Sequence, residues 1–338
     1  MFKNGLAKII GRRNLTESEM SEMIAAIFSG NVSDAEIGAF MGALSTKGET
    51  FGELAGAARA MRKKAIRIEA AGADIVDTCG TGGDGANTFN ISTTTAFVVA
   101  GCGVTVAKHG NRSMSSQCGS ADLLEALGVN IDVDPEIVEE AIADINIGFM
   151  FAPRFHGAMK YAANARKSIG IRSIFNMLGP LTNPAAANCQ LLGVYAGELT
   201  EMFASALKLL GTKRAMVVHG HDGLDEISVC APTRVSELKE NRISTYDLSP
   251  ETYFGRTAAP EELAGGDPAA SAEITLQIFA GQKGGPRDVV LINSAAALVV
   301  AGRAESIKAG IKLAENAIDS GAAMHKLKEL IGFTRENG

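Results

Sequence analysis

The sequence predicts an α/β protein, in which a small N-terminal helical domain precedes a large domain with a mostly parallel sheet flanked by helices. Two observations support this fold class. The first seventy residues have a helical pattern punctuated by helix-start signals. From residue 74 onward, short apolar runs alternate with longer helical stretches, as in parallel sheets covered on both faces. We therefore expect a helical domain over residues 1–70 and an α/β domain over 71–338.

Three capping boxes, in which Ser or Thr is followed three residues later by Glu, divide the first seventy residues into helices. They are formed by Thr16 with Glu19, Ser33 with Glu36, and Thr50 with Glu53. Gly30 and Gly48 are natural helix ends. This segment should therefore contain several short amphipathic helices.

The rest of the chain alternates between strand-like and helical runs. We predict strands at 75–77, 104–107, 147–151, 191–195, 215–218 and 289–292. We predict helices at 93–100, 121–127, 135–145, 199–210, 301–320 and 322–331. The segment 234–257 is richer in β-branched and polar residues, which predicts an antiparallel excursion.

The composition excludes several functional classes. A net charge of −6 argues against non-specific nucleic-acid binding. The longest apolar stretch, 96–107, is too short to cross a membrane, and the N-terminus shows no export signal. The five cysteines have no C-x-x-C spacing, which indicates free thiols in a reducing compartment. We expect a cytoplasmic protein with no membrane or nucleic-acid partner.

A glycine-rich segment at 77–92 is the most informative feature of the sequence. It follows a predicted strand and precedes a predicted helix, and it contains Gly80, Gly82, Gly83 and Gly85. Such glycines allow positive φ and a close approach of backbone N–H groups to an anion, and the helix start adds unpaired donors. Further hydroxyl and amide donors come from Asn87, Thr88, Asn90, Ser92 and Thr93. The segment therefore predicts a phosphate-binding loop.

The surrounding sequence narrows the kind of phosphate ligand. Gly80, Gly82 and Gly85 satisfy G-x-G-x-x-G, but a dinucleotide site would place an acidic residue after the next strand. That strand is instead followed by Lys108 and Arg112. No G-x-x-x-x-G-K-[ST] motif is present, which excludes a P-loop ATPase. The ligand is better described as a sugar carrying more than one phosphate.

The run 108–120 forms a second polar loop before a predicted helix. Lys108 provides a point charge for phosphate, whereas Asn111 can bond sugar hydroxyls or a substrate amine. Ser120 is predicted to be the N-cap of the following helix, where it can also contact a phosphate.

Two further clusters contain candidate ligand residues. The adjacent Asp225 and Glu226 suit a hard cation such as Mg²⁺, which binds through one or two carboxylates and phosphate oxygens. His219 and His221 have no additional ligands at the spacing a zinc site requires. In the segment 154–184, Arg166 beside apolar residues could clamp the carboxylate of a flat aromatic substrate. The alternative for this segment is ordinary surface charge and a turn at Gly179.

Taken together, these segments resemble anthranilate phosphoribosyltransferases. The motifs that carry the resemblance occur in the family's order along nearly the whole chain. They are 80–84 (GTGGD), 90–93 (NIST), 108–112 (KHGNR), 119–122 (GSAD), 166–167 (RK), 175–184 (FNMLGPLTNP), 225–226 (DE) and 319–323 (DSGAA). Any one of these motifs is weak, but their combination is highly specific.

The resemblance implies a homodimer of the nucleoside phosphorylase and phosphoribosyltransferase fold type, with about 165–185 contributing to the small domain. It implies transfer of the 5-phosphoribosyl group from phosphoribosyl pyrophosphate to the amine of anthranilate, in tryptophan biosynthesis. The residues it implies for phosphoribosyl pyrophosphate are Gly80, Thr81, Gly82, Gly83, Asp84, Asn87, Thr88, Asn90, Ser92, Thr93, Lys108 and Ser120. For anthranilate they are Gly80, Asn111, His156, Arg166 and Gly179. For two Mg²⁺ ions per subunit they are Ser92, Asp225 and Glu226.

The chain departs from the family's pattern at two places. Gln117 and Cys118 stand where the family has Lys and Ser, and Gly157 stands where it has Pro. Because both places flank the implied sites, they bear on affinity and loop order more than on the reaction.

Two other functions are alternatives to the transferase. A pyrimidine nucleoside phosphorylase is similar in fold, but the acidic pair and the 108–112 loop favour the transferase. Some relatives of the family resemble DNA-binding proteins, but such a protein should be basic, and this one is acidic.

Overall fold

The computed structural model describes residues 1–70, 74–113 and 117–338, and within them it has the predicted fold class. The expected domain boundary at 70/71 and the part 114–116 of the second polar loop lie outside the described residues. The N-terminal region contains α1 (Phe2–Ile10), α2 (Glu17–Ile27), α3 (Asp34–Lys47) and α4 (Phe51–Lys64). All three predicted capping boxes are present, at the starts of α2, α3 and α4.

The large region contains a seven-stranded sheet. Its strands are β1 (Ile75–Gly80), β2 (Thr105–Gly110), β3 (Ile147–Phe151), β4 (Cys189–Gly193), β5 (Arg214–Gly220), β6 (Thr233–Lys239) and β7 (Arg242–Leu248). The order across the sheet is β3-β2-β1-β4-β5-β6-β7. The first five strands in this order are parallel, and β6 and β7 pair antiparallel at one edge. The predicted antiparallel excursion is therefore confirmed. Positive φ at Glu240 and Asn241 forms the tight turn of its hairpin.

Helices cover both faces of the sheet. They are α5 (Ile91–Gly101), α6 (Ser120–Ala126), α7 (Pro135–Ile145), α8 (Ala152–Phe155), α9 (Lys160–Ile169), α10 (Ile174–Met177), α11 (Leu199–Leu209), α12 (Glu251–Phe254), α13 (Pro268–Phe279), α14 (Gly285–Val300), α15 (Ile307–Asp319) and α16 (Ala322–Glu336). One core cluster joins the sheet to α5, α14 and α16. A second joins α11 and the strands β4 and β5 to the N-terminal helices.

The predicted strand at 289–292 is wrong, because these residues lie inside α14. Val289, Val290, Leu291 and Ile292 are all at most 2% exposed, so this turn of the helix is apolar on every side. A helix buried on all sides loses its 3.6-residue polarity pattern, and a short aliphatic run then resembles a buried strand. Only the packing of α14 between the sheet and α15 distinguishes the two.

Residues 162–181 pack in the same hydrophobic cluster as the N-terminal helices. Ala162 and Ala165 of α9, together with Phe175, are buried there, and α9 contacts α3. Phe28 and Phe175 form a tilted aromatic pair with ring centroids 6.2 Å apart. Among the helices of the described residues, none is both long and apolar enough to cross a bilayer.

Candidate active site

The strand order places a crevice at the carboxyl ends of β1 and β4. The chain runs outward from β1 in both directions, to β2 and β3 on one side and to β4 and β5 on the other. Ligands of doubly wound sheets bind at such a point of reversal. The loop that follows β1 is the predicted phosphate loop, so the topology puts it where a ligand is expected.

Close backbone approach explains the first glycine of this loop. Gly80 does not adopt the positive φ that we expected of it, unlike Gly82, Gly83 and Gly85. A Cβ at Gly80 would instead lie 2.7 Å from Oδ2 of Asp225. Gly193, at the end of β4, has the same role, because a Cβ there would collide with the backbone carbonyl of Asp225. The strands β1 and β4 therefore need glycine at their ends to admit the acidic segment.

Hydrogen bonds fix the first half of the loop against β4 and the acidic segment. Thr81 N–H donates to the Gly193 carbonyl at 2.9 Å, and Gly82 N–H donates to Oδ2 of Asp225 at 2.9 Å. The hydroxyl of Thr81 accepts from the backbone N–H of Tyr195 at 3.1 Å. These bonds link the predicted phosphate loop directly to the predicted metal ligands.

Arg172 also contacts the loop, although the sequence did not indicate it as a site residue. Its Nη2 donates to the Gly83 carbonyl at 2.8 Å. Its guanidinium also stacks over the Tyr195 ring, 3.8 Å from the ring centroid. Because Arg172 precedes α10, it connects the segment packed on the small domain to the phosphate loop.

The second half of the loop leads into α5. The Asn90 side chain caps this helix, accepting from Thr93 N–H at 3.2 Å, so Asn90 is the N-cap and Ser92 and Thr93 lie in the first turn. Earlier in the loop, Asn87 has positive φ and Thr88 bridges to Ala264. The side-chain oxygen of Thr93 is buried and has no hydrogen-bond partner. The start of α5 therefore follows the loop directly and carries the hydroxyl groups of Ser92 and Thr93 in its first turn.

Lys108 reaches this helix start from β2. Its Nζ donates to the Thr78 carbonyl and to Ser92 Oγ, the latter at 3.2 Å. The side chain is only 3% exposed. Burial lowers the pKa of Lys108, and the charges of Asp77, Cys79 and Glu226 oppose that shift. The amine therefore lies inside the protein beside the start of α5 rather than at the surface.

Asp225 and Glu226 form an acidic pair beside the loop, in which Glu226 is buried and Asp225 is half-buried. Burial raises the pKa of Asp225, and the charge of Asp84 raises it further. Burial also raises the pKa of Glu226, with Asp225 adding to the shift and Lys108 opposing it. The nearby backbone of Ser92 also opposes this rise in the pKa of Glu226. Carboxylates crowded in this way gain most from a divalent cation, which compensates their mutual repulsion.

The donor set fits Mg²⁺ that is shared with a ligand. Within 1–70, 74–113 and 117–338, no three His, Cys, Asp or Glu side chains are grouped closely enough to hold an ion unaided. Mg²⁺ is commonly bound by one or two carboxylates together with phosphate oxygens and water. The pair beside a phosphate loop matches that preference, with the Ser92 hydroxyl as an additional oxygen donor.

A second group of candidate residues lies at the end of β2. His109 Nδ1 lies 3.2 Å from the Gly179 carbonyl, and the rings of His109 and His156 meet edge to face with centroids 5.0 Å apart. Burial lowers the pKa of His109 to about 3 and that of His156 to about 4. Both imidazoles are therefore neutral at pH 7. The fold thus brings His156 and Gly179 close to each other through His109, which contacts both. The sequence did not single out His109 as a site residue.

Asn111 and Ser120 are joined, but Ser120 is not the helix cap that we predicted. Gly119 is the N-cap of α6, and Ser120 is its first helical residue. Asp122 supplies the capping interaction instead, accepting from Gly119 N–H at 2.9 Å. The hydroxyl of Ser120 accepts from Asn111 N–H at 3.2 Å, which ties the 108–112 loop to α6.

Arg166 lies on α9, with its guanidinium 5.9 Å from the centroid of the Phe175 ring. Burial lowers the pKa of this half-buried group. The site cysteines are inaccessible, since Cys79 and Cys118 are each 7% exposed and burial raises the pKa of both thiols. Gly157 begins a short 3₁₀ turn and has open space around the position of a Cβ.

The sequence also did not indicate several buried polar residues that position these groups. Asn183 donates to Asp77 and to the Ala107 carbonyl, and Gln190 donates to the Pro180 carbonyl at 2.7 Å. Asn293 of α14 bonds both backbone groups of Ile227, next to the acidic pair. The available sequence signal for such a residue is a polar side chain among apolar neighbours. That signal does not show which backbone groups the side chain will contact.

Family models match most of the chain. One described as glycosyl transferase family, a/b domain, matches residues 72–324, and one described as glycosyl transferase family, helical bundle domain, matches residues 3–65. Their order agrees with the helical region followed by the α/β region.

Individual relatives are similar over the full length. The anthranilate phosphoribosyltransferase of Desulfosudis oleivorans is 66% identical, with all of both chains covered, and that of Syntrophobacter fumaroxidans is also 66% identical over both whole chains. The crystal structure of the enzyme from Thermus thermophilus has a TM-score of 0.92 at 40% identity, covering 98% of this chain and 99% of that one. The Saccharomyces cerevisiae enzyme in complex with PRPP and Mg has a TM-score of 0.90 at 28% identity, covering 99% of this chain and 98% of that one. The chain belongs to the anthranilate phosphoribosyltransferase family.

Proposed function

We propose that this protein transfers the 5-phosphoribosyl group of phosphoribosyl pyrophosphate to the amine of anthranilate. The products are N-(5-phosphoribosyl)anthranilate and pyrophosphate, in tryptophan biosynthesis. The observation that carries the proposal is the acidic pair Asp225 and Glu226, in which Asp225 accepts from the N–H of Gly82 in the glycine-rich loop and Glu226 is buried close to Lys108. A metal-assisted pyrophosphate leaving group requires this combination.

Phosphoribosyl pyrophosphate binds along the loop and the helix start. The residues assigned to it are Gly80, Thr81, Gly82, Gly83, Asp84, Asn87, Thr88, Asn90, Ser92, Thr93, Lys108 and Ser120. Backbone N–H groups of the glycine loop and the positive end of α5 stabilise the phosphates. Lys108 neutralises negative charge on the phosphates from a buried position, where the low dielectric strengthens the interaction.

Asp225, Glu226 and Ser92 hold Mg²⁺, with two ions per subunit. When bound, the metal neutralises the negative charge that develops on the departing pyrophosphate. The protein's own contribution is the position of the carboxylates, and the Gly82 N–H fixes that of Asp225.

Anthranilate binds at the end of β2, against Gly80, Asn111, His156, Arg166 and Gly179. Arg166 pairs with the carboxylate of anthranilate, because it provides a planar fork of donors for it. The neutral imidazoles of His109 and His156 leave the amine in an environment without added positive charge. An aryl amine is already unprotonated at pH 7, so positioning and charge stabilisation suffice without a strong general base.

The protein acts as a cytoplasmic homodimer. Residues 1–70, with a contribution from about 165–185, form the small domain, and 71–338 form the large one.

Loss of anthranilate fluorescence on mixing purified protein with anthranilate, phosphoribosyl pyrophosphate and Mg²⁺ tests the function. The loss should disappear when a chelator is added. Changing Asp225 and Glu226 together to Asn and Gln should abolish turnover or raise the Mg²⁺ requirement. Folded protein that leaves anthranilate unchanged would refute the proposal, and phosphorolysis of thymidine or uridine without Mg²⁺ would favour the nucleoside phosphorylase.

A further inference from the structure

Asn183 joins its own segment to a carboxylate of β1 and to the backbone of β2 beneath the anthranilate side of the site. Its Nδ2 donates to Oδ2 of Asp77 at 2.8 Å and to the Ala107 carbonyl at 2.8 Å. Its Oδ1 accepts from Ala185 N–H at 2.9 Å. The side chain is buried, and all its hydrogen-bonding groups are used. Such a residue constrains position more tightly than an apolar one, because every bond has a required direction.

Asp77 continues this connection to β2. Its other carboxylate oxygen, Oδ1, accepts from the backbone N–H of His109 at 3.2 Å. The Asp77 carboxylate is fully buried between β1 and β2. Asp77 and Asn183 therefore link the turn that carries Gly179 to the strand end that carries His109 and Asn111.

We propose that the Asp77–Asn183 pair is a positioning device for the acceptor side of the reaction, which sets the spacing between the Gly179 turn and the end of β2. The inference rests on the proposed function, since it takes the space between these segments as the anthranilate site. His109 Nδ1 and the Gly179 carbonyl, 3.2 Å apart, span the same two segments at the surface of the site. Neither Asp77 nor Asn183 needs to touch substrate for this role.

Asn293 offers a matched comparison on the other side of the crevice. It is equally buried, and it also uses its amide on backbone groups, those of Ile227 and Val289. It supports the segment that carries Asp225 and Glu226. Loss of Asn293 should therefore affect the Mg²⁺ and pyrophosphate side, whereas loss of Asn183 should affect the anthranilate side.

The test uses four variants of the full-length protein: D77N, N183D, the double variant D77N/N183D, and Asn293→Ala. In D77N two amides face each other, and in N183D two carboxylates do. The double variant restores one amide and one carboxylate with the direction of their bond reversed, while the Ala107 carbonyl still lacks its donor. We expect each single change to raise the KM for anthranilate about tenfold or more, with a much smaller change for phosphoribosyl pyrophosphate, because a buried bond to a charged group is lost. The double variant should recover part of that loss. Asn293→Ala should show the opposite selectivity.

The outcomes separate the inference from the proposed function. An unmutated protein without activity refutes the function itself. If that protein is active, equal KM changes for both substrates, or a double variant as poor as the product of the singles, would overturn the positioning role. Should a charged variant fail to fold, Asn183→Ala is judged by the same selectivity. Failure of every variant at 77 and 183 to fold would assign the pair to stability alone and overturn the proposal.

Discussion

Replacing Gly80 by alanine should damage metal use without straining the backbone. The φ angle of Gly80 is not positive, so alanine can adopt its conformation. The new Cβ would lie 2.7 Å from Oδ2 of Asp225, closer than real contacts allow, and the carboxylate would have to move. The same oxygen accepts the 2.9 Å bond from Gly82 N–H, which would then be lengthened or lost. A hydrogen bond to a charged group contributes about 1.5–3 kcal/mol.

That free energy corresponds to a change of about 10- to 100-fold in an equilibrium or rate constant. We expect the Mg²⁺ concentration that gives half-maximal turnover to rise, or kcat/KM for phosphoribosyl pyrophosphate to fall, by this factor. The measurement is the loss of anthranilate fluorescence over a titration of Mg²⁺.

Gly332→Ala is the matched control. Gly332 lies in α16, and a Cβ there meets nothing within 4 Å. Alanine in a helix interior is favoured over glycine by about 1 kcal/mol, so this variant should be at least as stable and should retain the parent's Mg²⁺ dependence. Unchanged Mg²⁺ dependence in Gly80→Ala would refute the argument that this glycine makes room for the metal-binding carboxylate.

Three further predictions concern other contacts of the site. Arg172→Ala should raise the KM for phosphoribosyl pyrophosphate roughly tenfold, because the loop loses its bond to the Gly83 carbonyl; an unaltered KM would remove Arg172 from the loop. Arg166→Ala should mainly raise the KM for anthranilate, and equal binding of anthranilate by parent and variant would argue against the carboxylate contact. Burial holds the pKa of His156 at about 4 in the folded protein, whereas in the unfolded chain it is about 6.5. The unfolded state therefore binds an extra proton between about pH 6.5 and pH 4, and stability falls as the pH falls through this window. In His156→Gln, the slope of unfolding free energy against pH should be shallower by up to about 1.4 kcal/mol per pH unit, and parallel curves for parent and variant would contradict a buried neutral imidazole.

Local signals in the sequence were sufficient for much of the fold. Each capping box at Thr16, Ser33 and Thr50 encodes its own helix start, because the two hydrogen bonds involved lie within four residues. The strand Ile147–Phe151 and the helix Pro135–Ile145 also have the predicted bounds, and the helix starts at a proline, which suits the first turn. Strand–helix alternation then implied a parallel sheet, since parallel neighbours need a crossover between them.

The helix α14 shows where local signals end. The aliphatic run 289–292 has the same composition as a buried strand, and its helical state depends on burial from all sides. Ser120 illustrates the same limit on a smaller scale. A serine before an apolar run predicts a cap, but the nearby Asn111 backbone takes its hydroxyl, and Asp122 caps the helix instead.

By itself, the sequence determined the fold class and predicted the glycine-rich loop and the acidic pair as site features, because each depends on residues that are adjacent in the chain. The tertiary structure decided which of these features meet. Asp225 lies 143 positions after Gly82 yet accepts its N–H, and Asn183 reaches Asp77 across 106 positions. Asp225 can lie at the end of β1 because of the strand order and because Gly80 and Gly193 have no side chains. Distances between remote segments depend on packing of the whole sheet, and no local pattern encodes them.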